Sequence, residues 1–118
     1  MSKTPTYLIS VNKTPKRAVF LVDQLLKSVG NDHGIVHIAN TSTIQELEVV
    51  LDILVYPPGI MICSSQWTAE EQDQAVEIAK ASVPHIGVIT IPPGLDAREG
   101  SEGILSFLKG AIQDLVSK

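Results

Sequence analysis

The chain has 118 residues, of which 44% are hydrophobic and 19% are charged, and its formal net charge is −4. This length suits one domain with one core, and this apolar fraction excludes a disordered protein. The longest stretch without charged residues, 53–69, is interrupted by prolines, a glycine and polar side chains, so we expect no membrane span. We therefore expect a single soluble, cytoplasmic domain covering residues 1–118.

Acidic and basic residues are separated along the sequence. No Lys or Arg occurs between Ser28 and Ala79, where eight carboxylates lie, whereas five of the nine cations fall within the first 27 residues. Five cations beside eight acids are too few for a nucleic-acid footprint, so we predict no nucleic-acid partner. Cys63 is the only cysteine, which excludes an internal disulfide and a cysteine-based zinc site. We predict no metal and no cofactor.

Hydrophobic periodicity predicts strands and helices in alternation through the first half of the chain. The first strand is predicted at 7–11, and a helix follows from Thr14-Pro15 to Gly30-Asn31. The second strand is predicted at 35–39. The next helix begins with a capping-box pattern at 43–46 and ends before Pro57-Pro58-Gly59.

The same alternation continues in the second half. A short apolar strand is predicted at 60–63, and a capping box at Thr68 opens a helix that extends to about Ala81. The fourth strand is predicted at 86–91. A loop over 92–101 then precedes a last helix with one strongly apolar stripe.

The resulting order, βαβαβαβα, predicts the fold class. Apolar strands separated by helices are typical of a four-stranded parallel sheet with helices on both faces, a doubly wound three-layer α/β/α domain of flavodoxin-like or receiver-like type. The sequence leaves the strand order open, since 2-1-3-4 and other doubly wound orders fit the same alternation.

Ligands of such sheets bind beyond the carboxyl ends of the strands. At the first of these positions a helix N-terminus is surrounded by cations, which favours an anion; the possible anion-binding residues are Lys13, Thr14, Lys16 and Arg17. The alternative is a capped, solvated helix start, because the glycine-rich phosphate loops are missing. Receiver domains need carboxylates at the ends of the first and third strands to hold magnesium. The chain has Asn12 and Cys63-Ser64 there, which argues against phosphoryl acceptance.

No catalytic pair emerges from the sequence, and we predict that the protein is not an enzyme. Cys63 fits a buried small hydrophobe better than a nucleophile. The three histidines, His33, His37 and His85, lack metal-ligand spacing and are predicted to be structural. Trp67, at the head of the third helix, is predicted to be either a lid on the core or a contact residue.

The last helix carries more apolar residues than one sheet-covering stripe needs. Two interpretations stay open: a well-buried terminal helix, or a helix that binds a partner. In the second case the partner-binding residues, together with Trp67, are Ile104, Leu105, Leu108, Ile112 and Leu115.

Six segments in the second part of the sequence carry a family resemblance: Thr43–Glu48, Gly59–Ile62, Pro84, Ile91-Pro92, Ser101–Leu105 and Lys109–Ile112. Through them the chain resembles the F subunits of the V-type and A-type rotary ATPases. The resemblance implies a non-catalytic component of the central stalk that pairs with a long coiled-coil partner, through the last helix and the loop 92–99. The first strand departs from that family, because Asn12-Lys13 stands where a Gly-Asp turn is usual.

Two further hypotheses belong to other classes. One is a small flavodoxin-like binding or sensory module of pseudo-receiver type, which takes an anionic ligand or a partner protein at the strand ends near Lys13 and Trp67. The other is a domain whose last helix associates with its own copy.

Overall fold

A computed structural model describes residues 5–29 and 34–116 of the chain. The predicted order of elements is confirmed: each strand is followed by a helix, four times over. The strands are β1 (Thr6–Val11), β2 (Ile35–Thr41), β3 (Ile60–Cys63) and β4 (Gly87–Thr90), and the helices are α1 (Pro15–Val29), α2 (Ile44–Ile53), α3 (Ala69–Ser82) and α4 (Leu95–Val116). The predicted end of α1 at Gly30-Asn31, and His33, lie outside the described residues.

The four strands form one parallel sheet in the order β2-β1-β3-β4. Parallel strands joined by helices place all four carboxyl ends at one edge, with β1 and β3 in the centre. At that edge Val11 pairs with Thr41 of β2 and with Cys63 of β3, while Cys63 also pairs with Thr90 of β4. The loops that follow these residues therefore meet in space.

Helices cover both faces of the sheet, because successive strand residues point to opposite sides. Leu8 belongs to the core cluster beneath α1 and α4, whereas its neighbour Ile9 belongs to the cluster beneath α2 and α3. Both side chains are fully buried. The predicted three-layer α/β/α architecture is thus observed, with one hydrophobic cluster on each side of the sheet.

The prediction of a loop over 92–101 is wrong for most of that segment. Helix α4 begins at Leu95 and runs to Val116, with a kink at Gly100, whose backbone has φ 66° and ψ −164°. Leu95 is buried, and its N–H donates to the carbonyl of Pro92 at 3.1 Å. Proline and glycine made this segment resemble a loop, but burial of Leu95 supplies the apolar anchor for an extra helical turn.

Candidate functional site

Asn12 lies at the carboxyl end of β1, where a receiver domain has a magnesium-binding carboxylate. Its backbone N–H donates to the carbonyl of Thr41 at 2.9 Å, and its side-chain Oδ1 accepts from the N–H of Thr14 at 2.8 Å. Asn40 Nδ2 donates to the Asn12 carbonyl at 3.1 Å. Asn12 is 7% exposed, so this neutral amide fixes the turn into α1 instead of offering a charged oxygen to a ligand.

Gln66 joins the loop after β3 to the loop after β1. Its Oε1 accepts from the backbone N–H of Lys13 at 2.9 Å, and its Nε2 donates to Thr14 Oγ1 at 3.1 Å. Its own backbone N–H donates to Ser64 Oγ at 3.1 Å. One amide side chain therefore uses both its donor and its acceptor to connect the two loops at the carboxyl edge of the sheet.

Trp67, just before α3, and Gln72, within α3, both hydrogen-bond to the same edge. The Trp67 indole Nε1–H donates to the Val11 carbonyl at 2.9 Å, and the ring is buried. Gln72 is 5% exposed, and its Nε2 donates to the carbonyls of Ser64 at 3.0 Å and Ile91 at 2.7 Å. Buried carbonyls need hydrogen-bond donors. These two side chains supply donors to the carbonyls at the ends of β1, β3 and β4. Of the two alternatives for Trp67, its 5% exposure matches a lid on the core and not an exposed partner-binding residue.

An ion pair joins α1 to α4 across the edge. Arg17 Nη2 lies 2.8 Å from Asp96 Oδ1, and Arg17 Nε lies 3.4 Å from Asp96 Oδ2. Such a two-pronged contact holds the guanidinium in one orientation. The backbone N–H of Asp96 also donates to Ser65 Oγ, at 3.4 Å. The extra turn of α4 thereby contacts the loop after β3 and the start of α1.

These contacts leave little enclosed space beneath the edge. The cavity there, lined among others by Ser10, Asn12 and Ser64, has a volume of about 20 Å³. A cavity of this size holds about one water molecule. Outside it lies an open surface depression of about 290 Å³, bordered by Ser65, Gln66, Gly94, Asp96 and Ala97. The carboxylate of that depression, Asp96, is already paired with Arg17.

The four predicted anion-binding residues lie close together at the start of α1, but three of them are engaged elsewhere. Lys13 Nζ lies 4.9 Å from the centre of the Trp67 ring, a cation–π contact. Thr14 Oγ1 accepts from Gln66, and Arg17 pairs with Asp96. Lys16 is exposed. The arrangement fits the solvated helix start that the sequence left as the alternative.

Cys63 and His37 are buried to different degrees, and burial governs their protonation. Burial raises the pKa of the Cys63 thiol to about 12, and the charge of Glu71 adds to the rise. Burial lowers the pKa of His37, against a smaller rise from a hydrogen bond with the Ala39 backbone. His37 Nε2 lies 2.8 Å from Ser10 Oγ, as expected for a structural histidine. Within residues 5–29 and 34–116, no three His, Cys, Asp or Glu side chains group to hold a metal.

The structure buries most of the predicted partner-binding residues of α4. Ile104, Leu108 and Ile112 are each 1% exposed and belong to the core cluster beneath α1 and α4, while Leu105 and Leu115 are partly buried against it. A partner cannot reach these side chains while α4 covers the sheet. Of the two interpretations of the last helix, the structure matches the buried one, because the apolar excess is used against both the sheet and α1.

Exposed apolar side chains lie elsewhere and fall into two groups. Val19 and Phe20 are exposed on α1, and the other group is Val36, Val49, Ile53, Val55 and Tyr56. Neither group was predicted from the sequence. A signal was present in α2, where the positions of Val49 and Ile53, four residues apart, fall outside the inward stripe of Ile44, Leu47 and Leu51.

Comparison with known proteins supports the fold. No protein-family model matches the chain, and no curated protein does. A solved structure of the response regulator RcsB from Salmonella typhimurium, described for its conformational dynamism in DNA interaction, is similar in fold, with a TM-score of 0.53 at 9% sequence identity. The match covers 98% of this chain and 68% of that one. The chain therefore has the flavodoxin-like fold that response-regulator receivers share. Among the described helices, none is long and apolar enough to cross a membrane.

Proposed function

We propose that this chain is a non-catalytic protein-interaction module on a receiver-like fold, of the pseudo-receiver type. The observation that carries the proposal is the closed carboxyl edge of the sheet. At the place where this fold class binds ligands, Asn12, Gln66 and Gln72 are hydrogen-bonded to the protein itself, and Arg17 is paired with Asp96.

Phosphoryl acceptance in a receiver requires an ionised carboxylate beside a magnesium ion. Oxygen ligands with negative charge are what Mg²⁺ prefers, and neutral amides or hydroxyls replace them poorly. Asn12 and Ser64 occupy the two positions in this chain, and the Asn12 oxygen already accepts a backbone hydrogen bond. The edge is thus better suited to stabilising the loops than to chemistry.

The exposed apolar side chains support an interaction role. Val55 is 84% exposed, Ile53 71% and Tyr56 61%; Ile53 ends α2, and the other two lie in the loop that follows it. Contiguous apolar surface of this kind marks binding sites for other proteins, whereas isolated exposed apolar residues need no explanation. The Tyr56 ring stacks on the Tyr7 ring, with centroids 5.5 Å apart, which keeps the aromatic part of this surface in place.

The resemblance to the F subunits of rotary ATPases also implies a non-catalytic interaction role. That hypothesis assigns the contact to the apolar stripe of α4, whose central residues are buried here. The pseudo-receiver module with a protein partner requires no opening of the core, and we favour it for that reason.

Affinity capture from native cells tests the proposal. We would compare the tagged wild-type chain with two variants, Ile53→Lys on the exposed surface and Gln66→Ala at the edge. We expect a stoichiometric protein partner to be retained by Gln66→Ala. A partner of different sequence should be lost by Ile53→Lys, whereas an untagged copy of this chain can still bind that variant through a second surface.

Three other outcomes have clear meanings. Capture of no protein by the wild-type chain contradicts the interaction role. Loss of the partner from Gln66→Ala alone assigns binding to the edge and contradicts our account. A set of rotary-ATPase components favours the central-stalk hypothesis instead.

A further inference from the structure

The outer side of α1 combines apolar and basic side chains. Lys16, Val19, Phe20 and Lys27 recur at spacings of three, four and seven residues, so they lie on one side of the helix. Val19 and Phe20 are 57% and 47% exposed. Lys27 pairs with Asp23 at 3.1 Å, an exposed contact, and Lys16 is exposed one turn before Phe20. We call these four residues the α1 face.

A second surface combines apolar and acidic side chains. Val49 and Ile53 lie on the outer side of α2, and Val55 and Tyr56 come after the C-cap residue Leu54. The surface extends from Tyr56 to Val36 by way of Tyr7. The Tyr56 ring stacks on the Tyr7 ring, and Tyr7 is paired with Val36 across β1 and β2. We call the five exposed residues Val36, Val49, Ile53, Val55 and Tyr56 the α2 face.

Carboxylates flank the α2 face. On the helix, Glu46 lies to one side of Val49 and Ile53, and Asp52 lies to the other. The ion pairs Arg17–Asp96 and Asp23–Lys27 leave Glu46 and Asp52 without a basic partner within residues 5–29 and 34–116. The region from Ser28 to Ala79 has no Lys or Arg to supply one.

From this pairing of surfaces we infer that the α1 face of one copy docks on the α2 face of a second copy. Both faces are apolar. On the α1 face Asp23 neutralises Lys27, and Lys16, which has no acidic partner within the described residues, is opposite in charge to the carboxylates of α2. The contact therefore joins Phe20 and Val19 to Ile53 and Val55 while Lys16 approaches Glu46 or Asp52. A helix laid by its apolar side on an apolar surface is a common mode of recognition. Every large hydrophobic residue that is exposed in the described structure belongs to one of these two faces.

The positions of the faces determine the kind of assembly. The α1 face lies on the side of the sheet that α1 and α4 cover, and the α2 face lies on the opposite side. Two different surfaces that bind each other make a head-to-tail contact, which forms a ring or an open chain of copies instead of a two-fold dimer. Because α1 has 15 residues, its length is about 22 Å, enough to span α2 and the loop that follows.

The exposure of the α2 face is consistent with a specific contact. Its five side chains are between 43% and 84% exposed, and neighbouring apolar side chains left exposed in this way mark interaction sites. A specific contact buries about 800 Å² on each partner, of which the apolar part is the centre. The charged and polar residues around the α2 face supply the remaining rim.

This inference rests on the proposed function, since it names the partner of that interaction module as a second copy. Sedimentation velocity of the wild-type chain at several protein concentrations is the first part of its test. We expect a weight-average mass that rises with concentration past the dimer and falls when salt is added, because salt screens the charges at the rim. A wild-type chain that stays monomeric throughout overturns the inference.

The second part uses two variants that each break one face. Phe20→Glu leaves the α2 face intact, and Ile53→Lys leaves the α1 face intact; both side chains are exposed, and circular dichroism checks that both variants fold. Each variant alone should be monomeric, with its dissociation constant raised at least about tenfold, as for a central interface residue. Mixed in equal amounts, the two should form a heterodimer that does not grow further, because one intact face of each kind remains.

A mixture that stays monomeric overturns the head-to-tail contact, and so does undiminished association of either variant alone. Different results would contradict the proposed function and this inference. A monomeric wild-type chain that still captures a different protein through Ile53 keeps the interaction role and loses only this inference, whereas a ligand that binds at the carboxyl edge contradicts the function without changing the sedimentation result.

Discussion

Gln72 shows how a single side chain closes the edge at which this fold class usually binds ligands. From the buried side of α3, its amide donates to one carbonyl after β3 and to another after β4. Asn12 and Gln66 play the same part for the loops after β1 and β3. Because these amides are neutral, they bring hydrogen-bonding groups to the edge but no charge for a metal or a phosphoryl group.

Replacing Gln72 with Leu should destabilise the protein by about 1–3 kcal/mol, because the carbonyls of Ser64 and Ile91 lose a buried donor. Urea unfolding followed by circular dichroism measures the change. Gln74→Leu is the matched control, since Gln74 is exposed on the same helix and should shift the free energy of unfolding by less than about 0.5 kcal/mol. Equal effects of the two substitutions would contradict the bridging role of Gln72.

At the scale of the element, α4 consists of a short first segment and a long second segment joined at Gly100. The first segment is held by the buried Leu95 and by the ion pair of Asp96 with Arg17. The backbone of Gly100, with φ 66° and ψ −164°, is in a region that residues with a Cβ rarely adopt. The kink lets one helix both close the edge and cover the sheet.

Gly100→Ala should therefore lower the free energy of unfolding by about 1–3 kcal/mol through backbone strain alone, since a Cβ at this position meets no atom within 4 Å. Gly110→Ala is the matched control on the same helix. It too has open space, but it lies within regular helix, so it should stabilise the protein by about 0.5–1 kcal/mol. Thermal unfolding of both variants measures the difference, and a stabilised Gly100→Ala protein would contradict the assignment of the kink.

The order and type of the elements could be predicted from the sequence because they depend on local patterns. Apolar periodicity, the capping box at Thr68 and the stop at Pro57-Pro58-Gly59 all act within a few residues. The first segment of α4 could not be predicted, because Pro92, Pro93 and Gly94 directly before it and Gly100 at its end are loop signals. What makes it helical, the burial of Leu95 and the contact with Arg17, comes from parts of the chain far away in sequence.

For the whole molecule, the same distinction applies to the candidate site. The position of the edge follows from the fold, and Lys13, Thr14, Lys16 and Arg17 lie there as neighbours because they are close in sequence. Their partners were not predictable, because Gln66 lies 53 residues from Lys13 and Asp96 lies 79 residues from Arg17. Pairings at such distances depend on strand order, which the sequence left open.

Charge is also organised over the whole molecule. Helices α2 and α3 carry seven carboxylates and one cation, whereas α1 and α4 together carry five of each, so one side of the sheet is strongly acidic and the other is balanced. The function that we propose places recognition on the outer helix faces and not at the strand ends. The closed edge is the part of this proposal that can be tested independently of any partner.

A titration by ¹H–¹⁵N nuclear magnetic resonance tests the closed edge most directly. The chain has one tryptophan, so the indole N–H of Trp67, which donates to the Val11 carbonyl at 2.9 Å, gives a single resonance at the centre of the edge. We predict that Mg²⁺ with beryllofluoride, and then inorganic phosphate, leave this signal and the amides of 12–14 and 64–67 unshifted. A saturable shift confined to these signals would show a ligand-binding edge and would contradict our account.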